Sequence, residues 1–310
     1  SGDSTETVSA IAKTAGVRFE GHGFDARNLP EDLEALAEVL EGNTVFGRVT
    51  PEQKRNMVLA LQSRGHVVAM TGDGVNDALA LKKADLGIAM NTGAAATKAV
   101  ANMVLLDGKF SSLPGVVAEG RKVIANIERV SRLFLTKTTW SMTLAIFFGL
   151  AMWTFPYLPR QLSGIDGFTI GIPAFLLALL PNAQRYEKGF LRRSLRFTVP
   201  VGLVIGISVM TLNWVMRDQG GWSVSAKQTA TSILLSIAGL WVLALLSVPF
   251  NRARLSIFVA MILLCLVEFF LPWSLWFFSW IPLSTDQLTV TMVIAFVANA
   301  LMTVASRLLR

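Results

Sequence analysis

Six apolar runs, at about 133–153, 164–181, 197–216, 229–249, 255–272 and 286–306, constrain this chain more than any other feature. Each is long enough, or nearly so, to cross a bilayer as a helix, which satisfies its own backbone hydrogen bonds in lipid. Residues 1 to about 130 are different in kind, mixed and charged like a soluble domain. The mean hydropathy of +0.53 therefore averages two unlike halves. The expected organisation is a globular domain over 1–120 followed by an all-α transmembrane bundle of six helices over 121–310.

A net charge of +7 alone would admit a nucleic-acid partner. Many basic residues, however, stand at the ends of apolar runs, where they anchor helices at the membrane surface, so no nucleic acid is expected. Arg185, Lys188, Arg192, Arg193 and Arg196 crowd the linker after the second run; Arg252 and Arg254 follow the fourth; Arg307 and Arg310 end the chain. The intervening linkers hold Arg160, then Arg217 and Lys227, then no basic residue between Pro272 and Gln287. The positive-inside rule makes this a multi-pass protein of the cell membrane, with the globular half and the C-terminus cytoplasmic. The single cysteine, Cys265, lies in an apolar run, which excludes an internal disulfide and a multi-cysteine metal site.

Within 1–120, strands are expected at 17–20, 44–49, 66–70, 86–90 and 103–106, and helices at 5–15, 30–41, 51–64, 76–83 and 94–101. Thr50 can cap the third helix, with Pro51 in its first turn. Such alternation implies an α/β, Rossmann-like doubly wound parallel sheet with its site at the carboxyl ends of the strands. There the sequence Thr71-Gly72-Asp73-Gly74-Val75-Asn76-Asp77 sets two carboxylates four residues apart on a glycine-rich turn. Carboxylate oxygens suit Mg²⁺, and glycines let backbone N–H groups approach a phosphate.

The stretch from Met70 to Met90 resembles the hinge motif of P-type ATPases, pumps that phosphorylate one of their own aspartates to move ions. Ser1-Gly2-Asp3 resembles the Thr-Gly-Asp motif of haloacid-dehalogenase-like phosphotransferases, to which those pumps belong. Arg48-Val49-Thr50-Pro51-Glu52-Gln53-Lys54 resembles the segment carrying their catalytic lysine. The resemblance implies that Ser1 and Gly2, beside Asp3, contact phosphoryl oxygens and that Lys54 offsets their charge. It makes Asp73 a Mg²⁺ ligand, puts Asn76 near the phosphate and has Asp77 hold the metal shell and the lysine. Thr71, Gly72 and Gly74 would help bind the cofactors, Mg²⁺ and an ATP held mainly by other domains. Without the resemblance, the same residues read as a plain N-cap, a surface lysine and a solvated aspartate pair.

The Asp-Lys-Thr-Gly-Thr motif that carries the family's nucleophile does not occur in the chain. Nothing resembles its nucleotide-binding or actuator domains either. The expectation is a C-terminal part, the second half of the phosphorylation domain and the fifth to tenth transmembrane helices. Its partner would be the N-terminal remainder of the pump, and alone it should not hydrolyse ATP. Leu79 and Asn91 stand where the family usually has Pro and Gly; asparagine tolerates the left-handed backbone that glycine would supply.

In the second run, Asp166 sits inside an apolar segment ahead of Gly171 and Pro173. An ionised carboxylate there costs roughly 3 kcal/mol on insertion scales, so it needs a partner, a cavity or a bound ion. A proline break would free a backbone carbonyl for a cation, and Thr169 lies one helical turn on. This resembles the ion-binding sixth helix of the family, with Thr138 and Ser141 aligning to the ligands of the preceding helix. The hard-oxygen set suits Ca²⁺, Mg²⁺ or Mn²⁺. The run from Leu162 to Asn182 is similar to a subgroup typified by actinobacterial E-type calcium pumps. Lys137 can snorkel to the cytoplasmic surface, the favoured reading, or reach Asp166 as a counter-ion. Glu268 is expected at the interface. Arg121, Lys122, Arg129 and Arg132 precede the first span on a continuous helix, suited to anionic lipid headgroups or to transmitting movement. Two other functions stay open: a membrane-anchored phosphatase of the haloacid-dehalogenase type, and a secondary transporter with a regulatory domain.

Overall fold

The computed structural model describes residues 1–181, 187, 189–218 and 221–308. Asn182, Arg185, Lys188 and Arg310, which entered the subgroup and loop-charge readings, lie outside the described residues. Two compact units appear, 1–116 and 117–310.

The first unit runs α1 (Thr5–Thr14), β1 (Phe24–Asp25), α2 (Leu33–Gly42), β2 (Phe46–Gly47), α3 (Pro51–Ser63), β3 (Ala69–Gly72), α4 (Ala78–Lys83), β4 (Leu86–Met90), α5 (Ala95–Val100) and β5 (Met103–Leu105). All strand pairs are parallel, but a single sheet is not formed: β1 pairs with β2, and β3–β4–β5 make a separate sheet. Residues 1–3 flank β2, because Val49 N–H donates to Ser1 O at 2.9 Å and Arg48 N–H to Asp3 O at 2.7 Å. The second edge of β3 has no strand partner among the described residues. The expected strand at 17–20 is irregular, with Val17 N–H donating to Ala12 O at 2.9 Å and Thr44 Oγ1 to Arg18 O at 3.1 Å. Alternating Val17-Arg18-Phe19-Glu20 looks like a strand, yet it joins no sheet among the described residues. Asn91 does not take the left-handed conformation; Arg48 does, at φ 58°, where the chain turns from β2 towards α3.

The second unit contains most of α6 (Leu113–Leu150), then α7 (Pro159–Asp166), a π-helical stretch (Gly167–Gly171), α8 (Ile172–Leu179), α9 (Phe190–Asp218), α10 (Val224–Ser247), α11 (Arg252–Glu268), α12 (Pro272–Phe278) and α13 (Thr285–Leu308). Among the described residues, five helical segments are long and apolar enough to cross a membrane, with α7 to α8 counted as one. The expected straight fifth span is instead α11 and α12, bent by 77°, which makes a sixth span if the pair is counted together. Pro272 opens α12 in the first turn, where its missing N–H is not needed, so the break falls just before it. The helices close on small residues. A Cβ on Gly202 of α9 would lie 2.5 Å from Thr139 Cβ of α6, and one on Gly206 would lie 2.9 Å from Thr143 Cγ2. Both threonines spend their hydroxyls on their own helix, Thr139 on Leu135 O and Thr143 on Thr139 O, so close approach leaves no polar group unsatisfied.

Asp85 joins β3 to the start of β4: its Oδ2 accepts from Val68 N–H at 2.8 Å and from Gln62 Nε2 at 3.0 Å. These donors, Val68 first, stabilise the ionised form and hold its pKa below the usual carboxylate value. A depressed carboxylate stabilises the fold above its unfolded pKa, and that contribution disappears as pH falls through the folded value. A carboxyl ¹³C titration should give Asp85 a midpoint below 3.8, and Gln62→Ala should move it partway back. A midpoint at the ordinary value in both proteins would contradict the bonding.

Candidate functional site

The turn after β3 presents its two carboxylates differently. Asp73 is exposed, and its carboxylate accepts no hydrogen bond among the described residues. Asp77, only 8% exposed, closes a 3₁₀ turn (Val75–Asp77). Its Oδ1 accepts from Lys54 Nζ at 2.6 Å and its Oδ2 from Gly74 N–H at 3.4 Å. A buried carboxylate needs such a partner. Lys54 is delivered by the first turn of α3, which a capping box fixes: Thr50 Oγ1 accepts from Gln53 N–H, and Gln53 Oε1 from Thr50 N–H.

The turn is also braced from behind. Thr97 Oγ1 donates to Gly74 O at 2.8 Å, and Ala94 N–H to Asp73 O at 2.9 Å. Sequence reasoning missed Thr97, a fully buried residue in a short alanine-rich helix that carries no motif. Ser1, Lys54, Thr71, Gly72, Asp73 and Asp77 line one cleft of about 670 Å³, with Val45, Phe46 and Met70 among its apolar walls. Gly2, Asp3, Gly74 and Asn76 fall outside that lining, and the Ser1 hydroxyl donates to Asp3 Oδ2 at 2.6 Å. The oxygens of Asp73 and Asp77 fit a hard divalent cation. No group of three or more Asp, Glu, His or Cys assembles among the described residues, so further ligands would be water or phosphate oxygens.

The second constellation lies in the helical unit. Lys137 of α6 forms an ion pair with Asp166 at the end of α7, which corrects the expectation that it snorkels away. Oδ1 of Asp166 is buried without a hydrogen-bond partner among the described residues. The helix does not break at Pro173; it widens into the π stretch, with Ile172 N–H bonded back to Gly167 O, and Pro173 enters the first turn of α8. Thr169 is 2% exposed, and its Oγ1 donates to Ile165 O at 2.8 Å. Gly239 of α10 passes so close that a Cβ there would stand 2.8 Å from Thr169 Cβ. Lys137, Thr136 and Thr169 line a cavity of about 20 Å³, roughly one water in size. Thr138 is not brought there: it is exposed and bonded to Phe134 O of its own helix. Ser141 sits one turn from Lys137 on the same helix face, its Oγ buried. Glu268, expected at an interface, is 5% exposed and packs against Gly164, with both carboxylate oxygens unpartnered among the described residues.

Comparison with known proteins shows what the chain is similar to. Residues 1–85 match the haloacid dehalogenase-like hydrolase model. Over 98% of its length the chain is 45% identical to the calcium-transporting ATPase CtpE of Mycolicibacterium smegmatis, covering 40% of that protein. This chain is a P-type ATPase homologue. It is also 46% identical to CtpE of Mycobacterium bovis over 88% of the chain and 36% of that relative. Against the probable cation-transporting ATPase exp7 of Streptococcus pneumoniae it is 37% identical over 84% of the chain and 34% of that protein. It thus spans about two fifths, or somewhat less, of the length of these relatives.

The hinge geometry depends on Gly72 having no side chain, since a Cβ there would lie 2.5 Å from Asp77 Cβ. At Gly74 the nearest atom would be Asp77 Oδ2 at an ordinary 3.7 Å. Gly72→Ala should therefore lower stability by about 1–3 kcal/mol in thermal unfolding, whereas Gly74→Ala should cost clearly less. Equal effects of the two substitutions would contradict the packing.

Proposed function

We propose that this chain is the C-terminal part of an ATP-driven cation pump that passes through an aspartyl-phosphate. The observation that carries the reading is the Lys54–Asp77 pair set beside the free Asp73 carboxylate in one cleft. In this reading, Lys54 offsets negative charge on the transferred phosphoryl oxygens, and Asp77 keeps its ammonium aimed there. Asp73 and Asp77 would hold Mg²⁺, which supplies charge neutralisation at the phosphate when bound. Ser1, with Gly2 and Asp3 in the same segment, and Thr71, Gly72 and Asn76 around the turn, would contact the phosphoryl group and its nucleotide. ATP hydrolysis requires the nucleophilic aspartate of the N-terminal remainder, since no Asp-Lys-Thr-Gly-Thr occurs in these 310 residues. The unpaired edge of β3, bordering the cleft, suits the strand that would bring it.

The transported cation would bind at Asp166, helped by Thr169 and Ser141 and by backbone carbonyls of the π stretch. Ca²⁺ is the cation named for the CtpE relatives and is the first choice here; Mg²⁺ and Mn²⁺ share its preference for hard oxygen. Lys137 pairs with the same carboxylate, so ammonium and metal would compete for one partner. The first unit and the C-terminus would face the cytoplasm, by the basic linkers.

The test is Asp73→Asn in the complete protein. Phosphoenzyme turnover should fall on the order of 100-fold or more, with thermal stability unchanged because Asp73 is exposed. Turnover near wild type would remove Asp73 from the metal site.

A further inference from the structure

We propose that the end of the helical bundle where α6, α9, α10 and α13 meet is a binding pocket for a phosphate-ester anion, supplied by an acidic phospholipid. It rests on reading this unit as membrane-embedded and does not need the pump reading. A cavity of about 610 Å³ opens there, within the usual range for ligand pockets of roughly 300–1,000 Å³. Its charged lining consists of Arg129, Arg132, Arg193 and Arg196 against Glu128 and Glu187, a surplus of two positive charges.

The carboxylates do not neutralise the deepest cation. Glu128 is committed to Arg132 at 2.6 Å and to Arg193 at 3.2 Å. Arg129 is only 9% exposed, has no ion pair or hydrogen bond among the described residues, and keeps a buried, unpartnered Nη1. Its electrostatic neighbour is another cation, Arg254, whose Nε is also buried and unpartnered. A buried guanidinium with an unpartnered N–H and a second cation as its electrostatic neighbour is costly unless an anion offsets it. Arginine's planar fork matches phosphate oxygens bidentately.

The remaining walls favour a lipid over a free ion. Phe197, Leu245, Leu246, Val248 and Pro249 line the same cavity, giving apolar surface on which a glycerol backbone and the tops of acyl chains could lie. Basic pockets between transmembrane helices at the cytoplasmic side are where acidic headgroups bind.

The test is native mass spectrometry of the complete protein in neutral detergent, titrated with phosphatidylglycerol or with phosphatidylcholine. Wild type should retain one phosphatidylglycerol in preference to phosphatidylcholine, and Arg129→Gln should weaken retention about tenfold. Arg196→Gln, at the exposed rim, should weaken it by about threefold, and serves if Arg129→Gln fails to fold. Arg121→Gln, an exposed change of the same charge outside the pocket, should leave retention unaltered. Inorganic phosphate separates the sources: the lipid assignment expects no thermal shift at 10 mM or thereabouts, roughly cellular concentration. A phosphate shift lost in Arg129→Gln, without lipid retention, would overturn the lipid source in favour of the free anion. Equal retention in wild type and both pocket variants, with no phosphate shift, would overturn the pocket. Neither readout involves ATP, so failure here leaves the pump reading standing.

Discussion

The ion pair between Lys54 and Asp77 organises the turn after β3, and much of the local structure follows from it. Asp77 is buried, so its charge must be matched, and Lys54 alone matches it among the described residues. Gly72 is bare because the Asp77 side chain fills the space beside it. The capping box of α3 sets where Lys54 emerges, and Thr97 and Ala94 hold the turn's carbonyls in place. Asp73, by contrast, is left free. One carboxylate is paired with a lysine while its neighbour four residues away accepts no hydrogen bond among the described residues.

The helical unit repeats this logic with the roles shifted. An aspartate within an apolar helix is expensive, and Lys137 relieves it by lying against Oδ2 while Oδ1 stays unpartnered among the described residues. The widened π turn that follows, and the close approach of Gly239 to Thr169, keep the surroundings tight, with a cavity of only about 20 Å³. Such a site has little room for a hydrated ion. On the proposed reading a cation would have to displace the ammonium and shed water to bind, which would link occupancy to a rearrangement of side chains.

How legible was this in the sequence? The hinge was, because its residues are adjacent in the chain and each is constrained by type, glycine for space and aspartate for charge. The α3 start was equally clear, since capping is local, and β4 fell at 86–90 as expected. What failed depends on distant neighbours. The strand expected at 17–20 has the right alternation but joins no sheet among the described residues; the single expected sheet is two. Lys137 looked free to snorkel because nothing local shows that Asp166 faces it. Alignment by helical position chose Thr138, which points off the wrong side, while Lys137 and Thr136 line the cavity. Glu268 read as interfacial from its place at the end of a run, and nothing local shows that it packs against Gly164 of α7.

The central claim is that a metal cation and the Lys137 ammonium contend for the same carboxylate, and that the outcome governs phosphorylation. It is tested most directly by measuring phosphoenzyme formation from ATP against Ca²⁺ concentration in the complete protein, wild type beside Lys137→Met. Removing the tethered competitor should lower the half-maximal Ca²⁺ concentration on the order of tenfold, a shift of about 1.4 kcal/mol. An unchanged midpoint, or phosphorylation indifferent to the cation in both proteins, would contradict the account.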